Sequence, residues 1–269
     1  MSKSIAIIGC GWLGLPLAKS FLNIGYTVHG STTSKEKLSS LAEAGIRPYL
    51  ISLSEEGPKG PVSDFLQDVD SLIINVPPKL RGGNQGNYIG KIQGLYNAIK
   101  TSSVQQIVFV SSTSVYGNID GEVTEDTVPK PATESGRQLL ITEAIFRNDN
   151  ELRSTIVRFG GLIGPNRHPV TMLSGRTGLA NGIAPINLIH LNDCIDILRN
   201  IVEQRWWNEV FNGVYPDYPS KAEYYAVEAK KRGIPGPEYS KETVKRGKKV
   251  QSSKLILVKK YRFNTSIHS

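Results

Sequence analysis

Short apolar runs alternate with amphipathic stretches along the first four-fifths of the chain. Runs typical of buried strands cover residues 4–8, 25–30, 48–53, 71–76, 106–111 and 154–159. Between them, residues 15–23, 87–100 and 138–147 space their apolar positions as one face of a helix does. Strand and helix therefore alternate, which predicts an α/β protein with a doubly wound parallel sheet covered by helices on both faces.

A glycine-rich segment, residues 9–14 (GCGWLG), joins the first predicted strand to the first predicted helix. Gly9 permits a tight turn, Gly11 lets the backbone approach a pyrophosphate, and Gly14 lets the helix pack against the strand. The amides that open the helix then face the anion. A Rossmann-type dinucleotide site is therefore predicted, with a glycine turn in an unrelated α/β fold as the alternative. Its predicted cofactor-binding residues are Gly9, Gly11, Trp12, Leu13 and Gly14.

The residues that follow the second strand bear on which dinucleotide is bound. An acidic side chain at the end of this strand accepts a hydrogen bond from the ribose 2′-hydroxyl of NAD and repels the 2′-phosphate of NADP. No acid stands there, because residues 31–35 read STTSK, a cluster of hydroxyl groups with one cation. NADP is therefore preferred to NAD. A polar loop that caps the next helix is the alternative. The predicted binding residues are Ser31, Thr32, Thr33 and Lys35.

Three further predicted strands end at the same edge of the sheet as the glycine segment. In a parallel sheet of this kind, ligands bind beyond the carboxyl ends of the strands. The residues at these ends are therefore expected to line one crevice with the glycine segment. The cofactor-binding residues predicted there are Asn75, Val76, Pro77, Ser111, Phe159, Gly160 and Leu162.

The positive charge of the chain is concentrated near its end. The formal net charge is +8, and residues 220–269 carry 13 of the 32 Lys and Arg residues but only 4 of the 24 Asp and Glu residues. A basic surface of this kind attracts anionic ligands through its field. No nucleic-acid motif accompanies it. We therefore expect a small polar substrate, of which a nucleotide-linked compound is one form. We expect no nucleic acid as a partner.

The chain is long enough for one large α/β domain and a smaller lobe. We predict a Rossmann domain over residues 1–214, in which residues 166–186 contribute to the substrate site. A small basic substrate lobe is predicted over residues 215–269. Within that lobe, the pattern predicts a helix over 221–232 and a strand over 255–258.

Composition and cysteine content exclude several classes of protein. With 39% hydrophobic and 21% charged residues, the chain is unlike disordered, collagen-like or membrane-spanning proteins. Its two cysteines, Cys10 and Cys194, are too few for a disulfide framework or a thiolate metal site. We therefore expect a reducing, cytoplasmic setting, with no bound metal and no membrane partner.

Three later segments follow the glycine segment in order: residues 108–117 (VFVSSTSVYG), 157–167 (VRFGGLIGPNR) and 187–193 (NLIHLND). Together they resemble the extended short-chain dehydrogenase/reductase superfamily, in particular the NAD-dependent epimerase/dehydratase family that acts on nucleotide sugars. The resemblance implies an oxidoreductase or epimerase-like enzyme acting on a nucleotide sugar or a small polar carbonyl compound. It also implies that Ser112, four residues before the tyrosine of the VYG run, is the catalytic serine that hydrogen-bonds the substrate oxygen.

The Tyr-x-x-x-Lys pair that transfers the proton in that family is missing. Glu143 resembles the family's glutamate four residues after the lysine, which puts Ser135 at the tyrosine position and Leu139 at the lysine position. Neither side chain ionises near neutral pH, so the family's acid/base mechanism does not carry over. The pattern is similar to the atypical branch of the superfamily. The chain is predicted to be an enzyme, with a non-catalytic NADP(H)-sensing module as the alternative.

Three side chains are predicted to contact the substrate. Arg167 suits an anionic group, His190 titrates near neutral pH where the chain re-enters the site, and Tyr116 carries a hydroxyl donor. Each has a structural alternative: a surface loop for Arg167, and hydrogen-bonded packing for His190 and Tyr116. Asp193 is interpreted as the N-cap of the following helix.

Overall fold

The computed structural model describes residues 3–78, 86–240 and 246–268. Its strands are β1 (Ser4–Ile8), β2 (Thr27–Thr32), β3 (Arg47–Leu50), β4 (Ser52–Ser54), β5 (Gly57–Lys59), β6 (Ser71–Ile74), β7 (Gln106–Ser112), β8 (Gly121–Val123), β9 (Arg153–Phe159), β10 (Gly161–Ile163), β11 (Leu188–His190), β12 (Val210–Gly213) and β13 (Lys248–Val250). Its α-helices are α1 (Gly14–Asn23), α2 (Lys37–Glu43), α3 (Val62–Leu66), α4 (Tyr88–Lys100), α5 (Glu134–Arg147), α6 (Pro169–Leu173), α7 (Leu191–Glu203) and α8 (Lys221–Lys231). None of these helices is long and apolar enough to cross a bilayer.

Seven parallel strands form the central sheet, in the order β12-β9-β7-β6-β1-β2-β3. The chain builds one half outward from β1 through β2 and β3, and then crosses to β6 on the other side of β1. The strand order therefore reverses between β1 and β6, which is where doubly wound sheets bind their ligands. The fold class predicted from the alternating pattern is confirmed.

The strand β1 is buried on both faces. Ile5 and Ile7 pack against α1 and α7, whereas Ala6 and Ile8 pack against α4 on the opposite face. These four side chains are at most 2% exposed. A parallel strand covered on both sides needs apolar residues at every position, which explains why β1 reads as a continuous apolar run.

The region after β12 contributes to two different cores. Tyr224 and Tyr225 of α8 pack in a separate cluster with α6 and β11. Further along, Leu255 and Tyr261 return to the core of the main sheet beside α1 and α7. The strand predicted over 255–258 is wrong, because a π-helical turn, Lys254–Val258, forms there. Leu255 alone in this turn is buried, and no neighbouring strand of the described residues pairs with it.

A buried carboxylate at the start of α7 holds the end of the described chain. Asp193 is 0% exposed, and its oxygens accept hydrogen bonds from the Tyr261 hydroxyl (3.0 Å) and from the backbone N–H groups of Asn264 (2.7 Å) and Thr265 (3.1 Å). The N-cap of α7 is His190, whose Nδ1 accepts from the Asn192 N–H at 3.2 Å. The interpretation of Asp193 as the N-cap is therefore wrong, because its carboxylate is used three residues into the helix to bind the later segment.

Candidate functional site

The glycine segment turns tightly between β1 and α1, against the end of β6. Gly9 has a φ of +101°, and a Cβ there would lie 2.5 Å from the backbone oxygen of Asn75. A Cβ on Gly14 would lie 2.2 Å from the Gly9 oxygen. The Asn75 side chain also donates to that Gly9 oxygen at 3.2 Å. Gly9 and Gly14 are therefore required by close backbone packing, and Asn75 supports the turn through its side chain.

Gly11 differs from its two neighbours in the motif. A Cβ on Gly11 would meet no atom within 4 Å, so it would project into open space in front of α1. The helix α1 has no side-chain N-cap and no acidic residue in its first turn. No side chain therefore occupies the start of this helix, where its dipole favours an anion. These residues fit the pyrophosphate of a dinucleotide, since a side chain on Gly11 would occupy the space that the phosphates need.

A cavity of about 310 Å³ adjoins the glycine segment on the side of α2. The sequence-predicted residues Thr33 and Lys35 lie exposed beyond β2 and do not line it. Lys37, at the start of α2, does line it and was not predicted. Its position two residues after Lys35, at the start of a helix, was the available signal. The lining residues are Cys10, Gly11, Trp12, Leu15, Pro16, Lys37, Ser40 and Leu41.

The hydroxyl residues at the end of β2 support the turn instead of facing this cavity. The Ser31 oxygen accepts from the Gly9 N–H at 3.0 Å, and the Thr32 oxygen accepts from the Ser34 N–H at 3.2 Å. Both side chains are buried, and their contact with the cofactor stays a prediction. The Ser34 hydroxyl donates to the Glu36 carboxylate, and this hydrogen bond lowers the pKa of Glu36.

The strand β7 ends in two serines with different surroundings, followed by the 3₁₀ helix Thr113–Tyr116. The Ser111 hydroxyl donates to Glu143 at 2.6 Å and is buried. The Ser112 side chain is half-buried, and its oxygen accepts from the Ser114 N–H at 3.2 Å. The hydroxyl of Ser111 therefore belongs to an interior network and does not face the cofactor crevice, which corrects the prediction for this side chain.

That network crosses the sheet beneath the crevice. Arg158 of β9 pairs with Glu143 of α5 at 2.6 Å, and these side chains are 2% and 1% exposed. Arg158 also donates to the Tyr116 hydroxyl at 3.0 Å, which in turn donates to Asn212 at 2.8 Å. Tyr116 is fully buried, and burial raises its pKa. Its predicted contact with substrate is therefore wrong, because both its ring and its hydroxyl are held within the interior.

Phe159, Gly160 and Leu162, at the end of β9 and just after it, were predicted to bind the cofactor. The Phe159 ring is 2% exposed and packs against Gly213, so its side chain belongs to the core and only its backbone is available to a ligand. Gly160 lies so close to Asn187 that a Cβ would stand 2.5 Å from that backbone oxygen. Leu162 of β10 remains half-buried. Val76 and Pro77 follow β6. Val76 is half-buried, and Pro77 is exposed.

Arg167 lies beside the glycine segment. Its guanidinium carbon is 4.8 Å from the centroid of the Trp12 ring. The Trp12 indole also donates to the Pro165 oxygen at 3.0 Å. The loop after β10 is thereby tied to the residues that precede α1. An arginine over a tryptophan face is a favourable cation–π arrangement, and it places the positive charge of Arg167 near the predicted phosphate site.

The imidazole of His190, which caps α7, is held in one protonation state. Burial lowers the pKa of its imidazole, so the neutral form is favoured at neutral pH. Because Nδ1 accepts from the backbone, the neutral ring carries its proton on Nε2. Within residues 3–78, 86–240 and 246–268, no group of three His, Cys, Asp or Glu side chains is arranged to hold a metal ion.

The two residues predicted at the positions of the lost catalytic pair lie near the start of α5. Leu139 is 4% exposed and packs in the core, whereas Ser135 is half-buried. A Cβ on the intervening Gly136 would lie 2.8 Å from the Ser114 oxygen. The first turn of α5 therefore packs directly against the 3₁₀ helix that follows Ser112. The assignment of the lost pair to these positions stays a prediction.

The doubly wound parallel sheet and the glycine turn at its switch point define a Rossmann-type α/β protein. Residues 4–114 match the NAD binding domain of 6-phosphogluconate dehydrogenase. Over 238 residues the chain is 33% identical to Protein YeeZ of Escherichia coli K12, covering 88% of this chain and 86% of that one. The chain therefore belongs to the same family as Protein YeeZ.

Solved structures share this fold at lower identity. One is a functionally unknown conserved protein from Silicibacter pomeroyi, with a TM-score of 0.77 and 20% identity over 97% of this chain and 93% of that one. Another is UDP-glucuronic acid 4-epimerase from Bacillus cereus in complex with UDP-glucuronic acid and NAD. It has a TM-score of 0.78 and 21% identity over 98% of this chain and 95% of that one. At these identities, the likeness establishes the fold.

Proposed function

We propose that the protein is an NADP-dependent enzyme, an oxidoreductase or an epimerase-like enzyme, acting on a nucleotide-linked or other small polar substrate. The fit of the glycine segment to a pyrophosphate supports the cofactor, which supplies hydride exchange when bound. Support for the substrate class comes from the B. cereus epimerase, which has the same fold and was solved with UDP-glucuronic acid and NAD. The chain's own residues then have to orient the substrate and hydrogen-bond its reacting oxygen.

The hydrogen bonding of three hydroxyl groups at the end of β7 carries this proposal. Ser111 donates to Glu143, and Tyr116 donates to Asn212. Ser112, by contrast, accepts from Ser114, and in the part of the chain that the structure describes its own hydrogen has no acceptor. Ser112 is therefore the hydroxyl of this group that is free to donate to a substrate oxygen. We assign it as the catalytic donor.

His190 is proposed as a second donor to the substrate. Its neutral ring carries the proton on Nε2, and it lies at the end of β11, next to β10 in the register Ile163–His190. Arg167 follows β10, so both side chains come from adjacent strand ends. We propose that Arg167 contributes positive charge for an anionic group of the cofactor or substrate, while His190 hydrogen-bonds the reacting end.

The preference for NADP is supported by the charges around the cavity beside α2. Lys37 lines this cavity, and Lys35 lies exposed nearby, whereas the end of β2 holds no acid. A nearby carboxylate, that of Glu36, is exposed and accepts a hydrogen bond from Ser34. A 2′-phosphate there would gain one or two lysine contacts, and Thr33 adds a hydroxyl donor. We propose that Lys37, with Thr33 and Lys35, favours NADP.

The test combines turnover with cofactor binding. NADP(H)-dependent oxidation or reduction is measured over a panel of nucleotide sugars and small carbonyl compounds. Ser112→Ala should lower kcat/KM by about 10²–10³, because one donor to the developing charge is removed. Ser114→Ala is the matched control, since Ser114 uses its backbone N–H to contact Ser112 and that group is unchanged. Equal turnover in wild type and Ser112→Ala would overturn the assignment of Ser112.

Binding titrations with NADPH and NADH test the cofactor separately. NADPH should bind at least about tenfold more tightly, and Lys37→Ala should remove most of that difference without weakening NADH. Lys19→Ala, an exposed lysine on α1, is the control. Equal affinities for the two cofactors would refute the preference. Tight NADPH binding with no turnover of any substrate would instead favour a sensor of NADP(H), as the core position of Leu139 also does.

A further inference from the structure

Lys248 of β13 reaches from the C-terminal region to the turn that follows Ser112. Its Nζ donates to the backbone oxygens of Thr113 (2.8 Å) and Gly117 (2.9 Å). The side chain is half-buried. These two carbonyl bonds leave one of the three ammonium hydrogens for another acceptor. The positive charge is therefore held at a fixed place beside the proposed catalytic turn.

A second lysine, Lys221, is anchored on the same segment, residues 184–187, that holds Lys248. It is the first residue of α8, and its backbone N–H donates to the Ala184 oxygen at 2.9 Å. The side chain of Asn187, three residues after Ala184, donates to the backbone oxygen of Lys248 at 2.9 Å. One short segment therefore holds the backbone of both lysines. Burial lowers the pKa of Lys221. Burial and then the charge of Lys221 lower the pKa of Lys248.

Neither lysine has a carboxylate partner among the residues that the structure describes. Other lysines of the same region do: Lys249 pairs with Glu122, and Lys254 pairs with Glu209. Two half-buried ammonium groups without a carboxylate partner are unfavourable unless an anion neutralises them. Lys248 lies against the turn that follows Ser112, which makes a bound substrate the natural source of that anion.

We propose that Lys221 and Lys248 form a binding site for an anionic group of the substrate, a carboxylate or a phosphate, held close to Ser112. This inference rests on the proposed function and adds to it that the substrate is acidic near the reacting end. A purely structural role explains Lys248, which caps the carbonyl groups of the 3₁₀ helix. It does not explain the placement of a second lysine on the same segment, so Lys221 is the decisive residue.

The first experiment measures anion binding without turnover. The wild type is melted in potassium phosphate, potassium acetate and potassium chloride at matched ionic strength, over a range of concentrations. Phosphate or acetate should raise the melting temperature by about 3 °C more than chloride once the site is filled. Lys221→Gln should lose this difference. Lys230→Gln, which changes an exposed lysine on the same helix, should retain it. Equal shifts in all three proteins would overturn the proposal.

The second experiment identifies the anionic group by calorimetry with UDP, UDP-glucose and UDP-glucuronic acid. If the site binds a carboxylate, Lys221→Gln should weaken the binding of UDP-glucuronic acid at least tenfold more than the binding of UDP-glucose. If the site binds a phosphate, the variant should lose the same factor of affinity for all three compounds. Affinities unchanged by Lys221→Gln would count against the pair. NADPH binding is measured on the same proteins. If NADPH fails to bind the wild type, the proposed function falls, while the anion shifts still decide the lysine site.

Discussion

The glycines of the turn differ in whether they have room for a methyl group. Gly9 and Gly14 have none, whereas Gly11 has open space that a ligand can use. At Gly14 a Cβ would stand 2.2 Å from the Gly9 oxygen, whereas at Gly11 it would meet nothing within 4 Å. Gly11→Ala should therefore leave the melting temperature within about 1 °C of wild type, since only open space is filled. NADPH affinity should fall at least about tenfold, because the methyl group occupies the pyrophosphate position.

Gly14→Ala is the contrasting variant, and it should fold poorly or melt much earlier because backbone atoms have to move. Calorimetric titration and thermal melting of the two proteins separate the outcomes. A Gly11→Ala protein that binds NADPH as wild type does would show that the phosphates lie elsewhere.

Side-chain roles at this scale were only partly predictable from the sequence. The glycine positions follow from local backbone geometry, so their spacing is informative by itself. The hydroxyl groups of Ser111 and Tyr116 look as available as that of Ser112, but their acceptors, Glu143 and Asn212, lie 32 and 96 residues away in the chain. No local pattern reports such partners, so the sequence could not show that these two hydroxyl groups are used in the interior.

At the scale of elements, the Arg158–Glu143 ion pair joins α5 to β9, and the Ser111 hydroxyl adds β7. Removing one partner leaves the other charge buried and unpaired. Arg158→Met should therefore lower the free energy of unfolding by about 3–5 kcal/mol. The double variant Arg158→Met with Glu143→Leu should lose less, because no buried charge remains.

Urea unfolding of the wild type, the single variant and the double variant measures these differences. A double variant less stable than Arg158→Met would mean that the packing of these side chains, and not their charge, dominates. The pair also fixes the position of α5, whose first turn packs against the segment after Ser112. The same measurement therefore reports on the support of the candidate site.

The apolar pattern predicted the positions of elements well where other elements cover them. The predicted strand over 106–111 corresponds to Gln106–Ser112, and the predicted helix over 221–232 corresponds to Lys221–Lys231. The strand predicted over 255–258 failed because Leu257 and Val258 are 66% and 65% exposed. An apolar run indicates burial only when other elements cover it, and coverage depends on the tertiary structure.

At the scale of the whole molecule, His168 makes the cluster around α6 and α8 sensitive to pH. It is buried against Tyr224 at 3.0 Å. Burial, and then the charge of Arg232, lower its pKa from 6.5 to about 4. The native state therefore binds this proton less well than the unfolded state. Stability is fully present above about pH 6.5 and is lost as the pH falls toward 4, by about 2 kcal/mol at pH 5.

The comparison variant is His168→Asn, because asparagine can still accept the Val170 N–H that His168 now accepts. Urea unfolding at pH 7.5 and pH 5.0 gives the change in free energy for each protein. That change should be smaller in His168→Asn by about 2 kcal/mol. An identical pH dependence in both proteins would show that His168 is protonated as readily in the native state as in the unfolded state.

The three hydrogen bonds to Asp193 have a consequence for folding during synthesis. Their donors lie 68 to 72 residues later in the chain. While the ribosome is still making those residues, α7 carries a carboxylate that cannot enter the interior without its partners. The nascent protein therefore completes the packing of α7 only after release of residues 261–265, and premature termination before them leaves a product prone to proteolysis.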